Sequence, residues 1–435
     1  MASVAELFVC PGCGEALGAG AGGVHCAACG RRFVEVAGAT CLFAEPARFV
    51  QGWGRALAQL VRQAEQNQAA IREQRRGAMG SVERRLARLQ EGLRANVATI
   101  RELLLAAGIP LEESVGPRAG DVMEVYVQSL RDWAWDTEEN ALALERMPKV
   151  EGRVLVLGAG ACRLAWDLHR RDAPDHTVVL DVHPLPFAIA QRAMAGPPLT
   201  LWEFPPTPSA EMCVEREVTI HGAAAPWSFV LADGLSLPVQ QGAFDTVVTP
   251  WFIDQVPTNV AELLPVIQRA LRPGGRWLNL GPLVYRQTID IACRYTIDEL
   301  VELAAQHGLT MAAPPTRRTE RYLCSPASGQ GRLEEVFAFA AERDAAPAMA
   351  VPPAWWLHPQ APIPRWPELA TFRAPNPLVA AVVERIDGHT SASDIAASLV
   401  QQLGIPAEGA SQGVHATVRE LARQVGRAPT PAATS

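Results

Sequence analysis

Between residues 154 and 280 the chain repeats one unit, a short apolar or β-branched run that stops at a glycine or an acid. Residues 154–157 lead into Gly158 and Gly160, residues 177–180 into Asp181, and residues 229–232 into Asp233 and Gly234. A further run ends at Thr249, with Asp254 just beyond it. Runs this short and continuously apolar predict strands buried on both faces, as in a parallel sheet covered by helices. Open α/β sheets bind ligands beyond the carboxyl ends of their strands, which is where these glycines and acids fall. After Asp254 the pattern predicts a helix over 260–271, a turn at Pro273, Gly274 and Gly275, and a strand over 276–280. Asn279, Gly281, Tyr285 and Arg286 then lie near that strand's exit.

Taken in order, these units resemble a class I S-adenosylmethionine (SAM) methyltransferase. The expected fold is therefore α/β, a Rossmann-like core carrying extra segments. The glycine turn at 158–160 lets a ligand approach the backbone at the N-terminus of a helix starting near Arg163. Asp181 is placed to accept the ribose hydroxyls of SAM, and Asp233 with Gly234 is placed at the adenine. A dehydrogenase would share the glycine turn and ribose acid but not the later acid, helix and Pro-Gly-Gly layout.

Four of nine cysteines, Cys10, Cys13, Cys26 and Cys29, form two CxxC pairs separated by 12 residues, each pair followed by glycine. Two such knuckles set four thiolates at tetrahedral corners and predict a structural zinc ion. Without metal, residues 1–45 hold too little core to fold. Four protein ligands leave no open position, so no catalysis is assigned to the ion. The segment resembles the zinc ribbons found ahead of many bacterial methyltransferases.

Residues 51–150 read as a helical cap. Val82, Leu86, Leu89, Leu93, Val97, Ile100 and Leu104 make one apolar stripe, and Gln128 and Arg131 share a face of a later helix. The methyltransferase core is expected over 151–343, with a proline- and alanine-rich insertion at 196–226 read as a surface loop or lid. A proline-rich linker over 344–370 contains Trp355, Trp356 and Trp366. Residues 371–428 resemble the PqqD-like winged-helix module, which implies a peptide or protein partner; a docking or dimerisation domain fits the same residues.

The balance of 49% hydrophobic and 20% charged residues excludes a disordered chain, and 435 residues suffice for two or three domains. No apolar run reaches membrane-span length and residues 1–20 lack a signal layout, so a cytoplasmic protein without a membrane partner is expected. The net charge of −7 argues against general nucleic-acid binding.

The motifs QxxRDW at 128–133, GAGxxRLAW at 158–166, FID at 252–254 and NLGPLVY at 279–285 together resemble the carnosine N-methyltransferase family, from about residue 80 to 340. The resemblance implies that Gln128 and Arg131 reach the methionine part of SAM, that the donor loop includes Arg163, and that Asp254 holds an imidazole-bearing substrate. Three departures stand out. Cys162 replaces the third loop glycine, Asp181 stands where the family often has glutamate, and Arg286 stands where carnosine-methylating members place histidine. The late family tyrosine maps loosely to Tyr322.

The expected chemistry is in-line transfer of a methyl group to an imidazole nitrogen of a small molecule or peptide. Asp254 would accept the proton of the other ring nitrogen, and Tyr285 and Arg286 would grip the rest of the substrate. Two other readings fit parts of the chain. One is an RNA methyltransferase that uses the zinc ribbon to bind RNA. The other is a non-catalytic SAM-binding accessory protein of a peptide-modification pathway.

Overall fold

A computed structural model describes residues 3–425, except 21–22, 44–45, 112–119, 136, 197, 208–210, 219–225, 257–258, 287–288, 329, 346–362, 364, 366–368, 370–371 and 375. Most of the linker therefore lies outside the described residues, including Trp355, Trp356 and Trp366. The core strands are β1 (Arg153–Leu157), β2 (His176–Asp181), β3 (Trp227–Leu231), β4 (Phe244–Pro250), β5 (Leu271–Gly281), β6 (Leu309–Met311), β7 (Thr316–Tyr322) and β8 (Arg332–Arg343). Their spatial order is β6, β8, β5, β4, β1, β2, β3, with β7 paired to β8. Strands β3, β2, β1, β4 and β5 run parallel, and β8 is antiparallel to β5. The chain winds outward from β1 to β3 and returns on the other side at β4. The strand order reverses between β1 and β4, and open α/β sheets bind ligands beyond the strands' carboxyl ends at such a switch point.

The continuous apolar runs have the predicted cause. Val154, Leu155, Val156 and Leu157 are all 0–1% exposed, because helices cover both faces of the sheet. Helices α1 (Pro46–Arg75), α2 (Gly80–Ala106), α3 (Gly120–Trp133), α4 (Glu139–Arg146), α5 (Arg163–Asp172) and α6 (Pro184–Met194) precede β3 in the chain. The helical cap read over 51–150 thus opens with two helices, broken near Gly77 and an exposed Met79. Further on, α7 (Leu264–Ala270) and α8 (Ile297–Gln306) flank β5 and β6 in sequence. The C-terminal helices α9 (Pro377–Val383), α10 (Ala392–Leu403) and α11 (Ala407–Val425) close on their own core of Val382, Ile395, Leu399, Val414 and Val418.

Two features depart from the sequence reading. The insertion at 196–226 is not a surface loop. Its described part is a hairpin, Leu199–Glu203 against Val214–Val218, with Leu199, Leu201, Trp202 and Cys213 buried. Gly92 of α2 lies so close to Trp202 and Cys213 that a Cβ there would clash. The Tyr126 hydroxyl donates to the Trp202 carbonyl at 3.0 Å, and the buried Glu203 pairs with Arg216. Second, the N-terminal ribbon is built into the main sheet. After its own three-stranded hairpin, Ala39–Cys41 runs parallel to β3, with Thr40 opposite Val230 and Cys41 opposite Leu231. Among the described residues no helix is long and apolar enough to cross a membrane.

Candidate active site

The glycine turn after β1 is fastened to the end of β2. Gly158 and Ala159 donate backbone N–H groups to the Leu180 carbonyl at 3.0 and 3.2 Å. Asp181 accepts from Gly160 N at 2.8 Å through Oδ2 and from His183 N at 2.9 Å through Oδ1. Burial pushes the Asp181 carboxyl up, against the pull of these amides. Two amide hydrogen bonds thus orient the carboxylate before any ligand arrives. Asp233 accepts from Leu235 N at 2.9 Å and caps the short turn that begins at Gly234.

Gly158 adopts φ +66°, and a Cβ there would fall 2.3 Å from Cδ2 of Phe252. The space beside this glycine is taken by an aromatic ring that also lies against Gly234. Cys162 has φ +67° at the start of α5, a left-handed conformation that a side chain rarely adopts. Its thiol is buried and sits 3.6 Å from the Gly160 carbonyl. Arg163 opens α5 directly after this turn. It binds Asp167 at 2.8 Å and the Asp132 carbonyl at 2.9 Å, with its guanidinium over Trp133.

Arg131 projects from α3 over two stacked rings. Its guanidinium carbon lies 5.5 Å from the Trp251 ring centre and 4.9 Å from that of Tyr322, and Nε donates to Asp132 at 2.8 Å. Gln128, one turn earlier, is half-buried. Trp251 and Tyr322 stack at 5.4 Å with their planes 19° apart. Trp251 has φ +45°, and its Nε1 donates to the buried Glu334 at 2.9 Å. Gly281 permits this arrangement, since a Cβ there would lie 2.9 Å from the Trp251 Cα. Burial pushes the Tyr322 phenol up to about 12.

Asp254 is fully buried three residues beyond Trp251. Its Oδ2 accepts from Val284 N at 3.0 Å, whereas the buried Oδ1 has no hydrogen-bond partner. The hydroxyl of Tyr285 is likewise buried without a partner. Burial raises the Asp254 carboxyl to about 6, against the Val284 amide and the nearby Gln255 side chain, which favour its ionised form although Gln255 does not reach hydrogen-bonding geometry at Oδ1. Burial also raises the Tyr285 phenol, and the Asp254 charge adds to that rise. Asp254 and Tyr285 are thus neighbours with unmet polar atoms, while Arg286 is exposed. Asn279 is internal, holding Thr249 at 2.9 Å across the β4–β5 pair.

The four ribbon cysteines come together as predicted. Their sulfurs all lie within 4.8 Å of one another, with Cys10 and Cys29 at 3.6 Å and Cys13 and Cys26 at 3.5 Å. A tetrahedral zinc with bonds of about 2.3 Å places sulfurs roughly 3.8 Å apart, so the geometry fits. Gly14 and Gly30 have φ of +78° and +72° and donate to the Cys10 and Cys26 carbonyls, closing each knuckle.

The sequence reading missed Trp251, Phe252 and Glu334. Phe252 lay in the FID motif, but its contact with two distant glycines has no local signal.

The strand order, antiparallel last strand and glycine–acid crevice define a class I SAM-dependent methyltransferase fold. Within it, residues 212–336 match the family described as carnosine N-methyltransferase. That match includes Asp233, Asp254, Tyr285 and Tyr322. The carnosine N-methyltransferase of Dictyostelium discoideum is 43% identical over 47 residues, which are 11% of this chain and 10% of that protein. The Mus musculus enzyme of the same name is 28% identical over 88 residues, 20% of this chain and 22% of its own length. The chain therefore spans between a tenth and about a fifth of these curated relatives. Among solved structures, Haemonchus contortus phosphoethanolamine N-methyltransferase 2 bound to SAM is 15% identical with a TM-score of 0.34, covering 52% of this chain and 58% of that one.

Proposed function

We propose that this protein is a SAM-dependent N-methyltransferase acting on an imidazole nitrogen of a small molecule or peptide. The observation that carries the reading is the Asp254 carboxylate, held through Oδ2 by the Val284 amide while buried Oδ1 is unpaired. A buried acceptor without a donor costs about 1–3 kcal/mol, and a substrate N–H would remove that cost. The unpaired Tyr285 hydroxyl beside it supplies a second polar contact.

Bound SAM would supply an electrophilic methyl group on a sulfonium. On this reading Asp181 holds its ribose, Asp233 and Gly234 border its adenine, and the turn at Gly158 and Gly160 carries its backbone contacts. Gln128 and Arg131 serve the methionine end. The stack of Trp251 and Tyr322 carries the Arg131 guanidinium by cation–π attraction. Arg163, tied to Asp167 and the Asp132 carbonyl, belongs to the same donor loop. Asp254 accepts the N–H of the non-reacting imidazole nitrogen, which selects one ring tautomer and offsets the positive charge that develops on the ring. Imidazole has an ordinary pKa of about 6.5, so near neutrality the ring needs no strong base. Arg286, at the surface, would meet a substrate carboxylate as a fixed cation. Cys10, Cys13, Cys26 and Cys29 would hold a structural zinc ion.

The test is incubation with labelled SAM and a panel of imidazole dipeptides, histidine derivatives and histidine-containing peptides. Label on an imidazole nitrogen is the expected result. Label on RNA or on none of the panel would overturn the substrate assignment.

A further inference from the structure

The ribbon does more than sit beside the sheet: it grips both sides of one turn of the crevice. On the upstream side Leu42 N donates to the Leu231 carbonyl at 2.8 Å, continuing the parallel pairing of Ala39–Cys41 with β3. On the downstream side Val9 N donates to the Pro238 carbonyl at 2.7 Å. Gln240 N donates back to the Leu7 carbonyl at 2.9 Å, and Phe8 bridges Val239. Asp233 and Gly234 lie between these two attachments. Val9 is the residue immediately before Cys10, so one clamp ends directly beside the sulfur cluster. Phe8 is fully buried and meets Phe244 of β4 edge-on at 6.2 Å. The ribbon also reaches α6, which follows Asp181, since Gln191 donates to the Ala37 carbonyl.

We propose that the four-cysteine ribbon is a metal-dependent positioning element that sets the affinity of the methyl-donor pocket through residues 231–240. The pocket assignment rests on the proposed function; the clamp does not. The cysteines crosslink a segment with little core of its own, so loss of the ion frees residues 7–9 and 39–42 from fixed positions. The edge of β3 then loses its cover, and the Asp233 turn gains local freedom that ligand binding must remove.

The experiment uses the full chain, zinc-loaded and after removal of zinc by a chelator, together with Cys13→Ser. It measures zinc content, calorimetric affinity for S-adenosylhomocysteine and amide hydrogen exchange. Zinc loss is expected to weaken binding about tenfold, roughly 1.4 kcal/mol, and to speed exchange over 227–240 while 244–281 stays protected. Unchanged affinity and exchange would overturn the proposal. Should zinc loss unfold the whole chain, Phe8→Leu decides, because it keeps all four sulfurs and loosens only the clamp. Full zinc content with about threefold weaker binding supports the proposal, and unweakened binding refutes it. Failure of the zinc-loaded wild type to bind S-adenosylhomocysteine would instead refute the donor-pocket assignment.

Discussion

Asp254 and Val284 are joined by one hydrogen bond of 3.0 Å that uses a single carboxylate oxygen and leaves the other buried and unpaired. The bond ties the loop after β4 to the loop after β5, so the same side chain shapes the crevice and keeps an acceptor available. The cost falls on stability. Folding raises the Asp254 carboxyl from 3.8 to about 6, so the folded state prefers the protonated form. The native state is therefore penalised as pH rises from about 4 through 6, and the penalty is full above that. Asp254→Asn should raise the melting temperature at pH 8, by roughly 1–3 kcal/mol of stability, and change it little at pH 4. Melting curves at the two pH values check this.

The same ionisation should appear in turnover. If only the carboxylate form accepts the ring proton, kcat/KM should fall with unit slope below about pH 6. The substrate ring titrates close by, so the profile should be repeated with an imidazole whose pKa is shifted by a substituent. One acidic limb should move with the substrate and the other should stay.

Phe252 and Gly158 make a steric prediction. Gly158→Ala would set a Cβ 2.3 Å from the Phe252 ring in a backbone with φ +66°, and should cost about 2 kcal/mol or more. Adding Phe252→Ala should relieve the clash but leave the backbone strain. Denaturant titration of the single and double variants should show partial recovery; full additivity would mean the ring is not the obstacle.

His183 caps α6 through Nδ1, packs on Trp53 at 4.0 Å, and has a buried Nε2 without a partner. Burial lowers its pKa from 6.5 to about 3. The unfolded ring takes up a proton first, so stability should be lost as pH drops below about 6.5, by at most about 1.4 kcal/mol per pH unit. His183→Asn keeps a capping side chain and should flatten that acid limb. Unfolding free energies at pH 5 and 7.5 for both proteins test the difference.

The strand-end acids and the four cysteines were legible because local pattern controls them: a continuous apolar run sets where a strand stops, and knuckle spacing brings sulfurs together. What was not legible depends on contacts distant in sequence. The 199–218 hairpin was read as a loop because its prolines and alanines suggest turns, while its stability comes from Tyr126, Gly92 and the Glu203–Arg216 pair. The three-residue strand at Ala39–Cys41 has no periodicity of its own and exists by pairing with β3. Glu334 looked like one acid among several on β8, and only the fold brings it to Trp251. Arg163 sits in a loop motif, and its partners Asp167 and the Asp132 carbonyl could be read only from the fold.

The most direct test of the account compares wild type with Asp254→Asn on an imidazole dipeptide, measuring methyl transfer and S-adenosylhomocysteine affinity on the same preparations. An N-methylated imidazole product is expected from the wild type. For the variant, turnover should be reduced about 100-fold or more at affinity within roughly threefold of wild type. Equal turnover by the two proteins would contradict it.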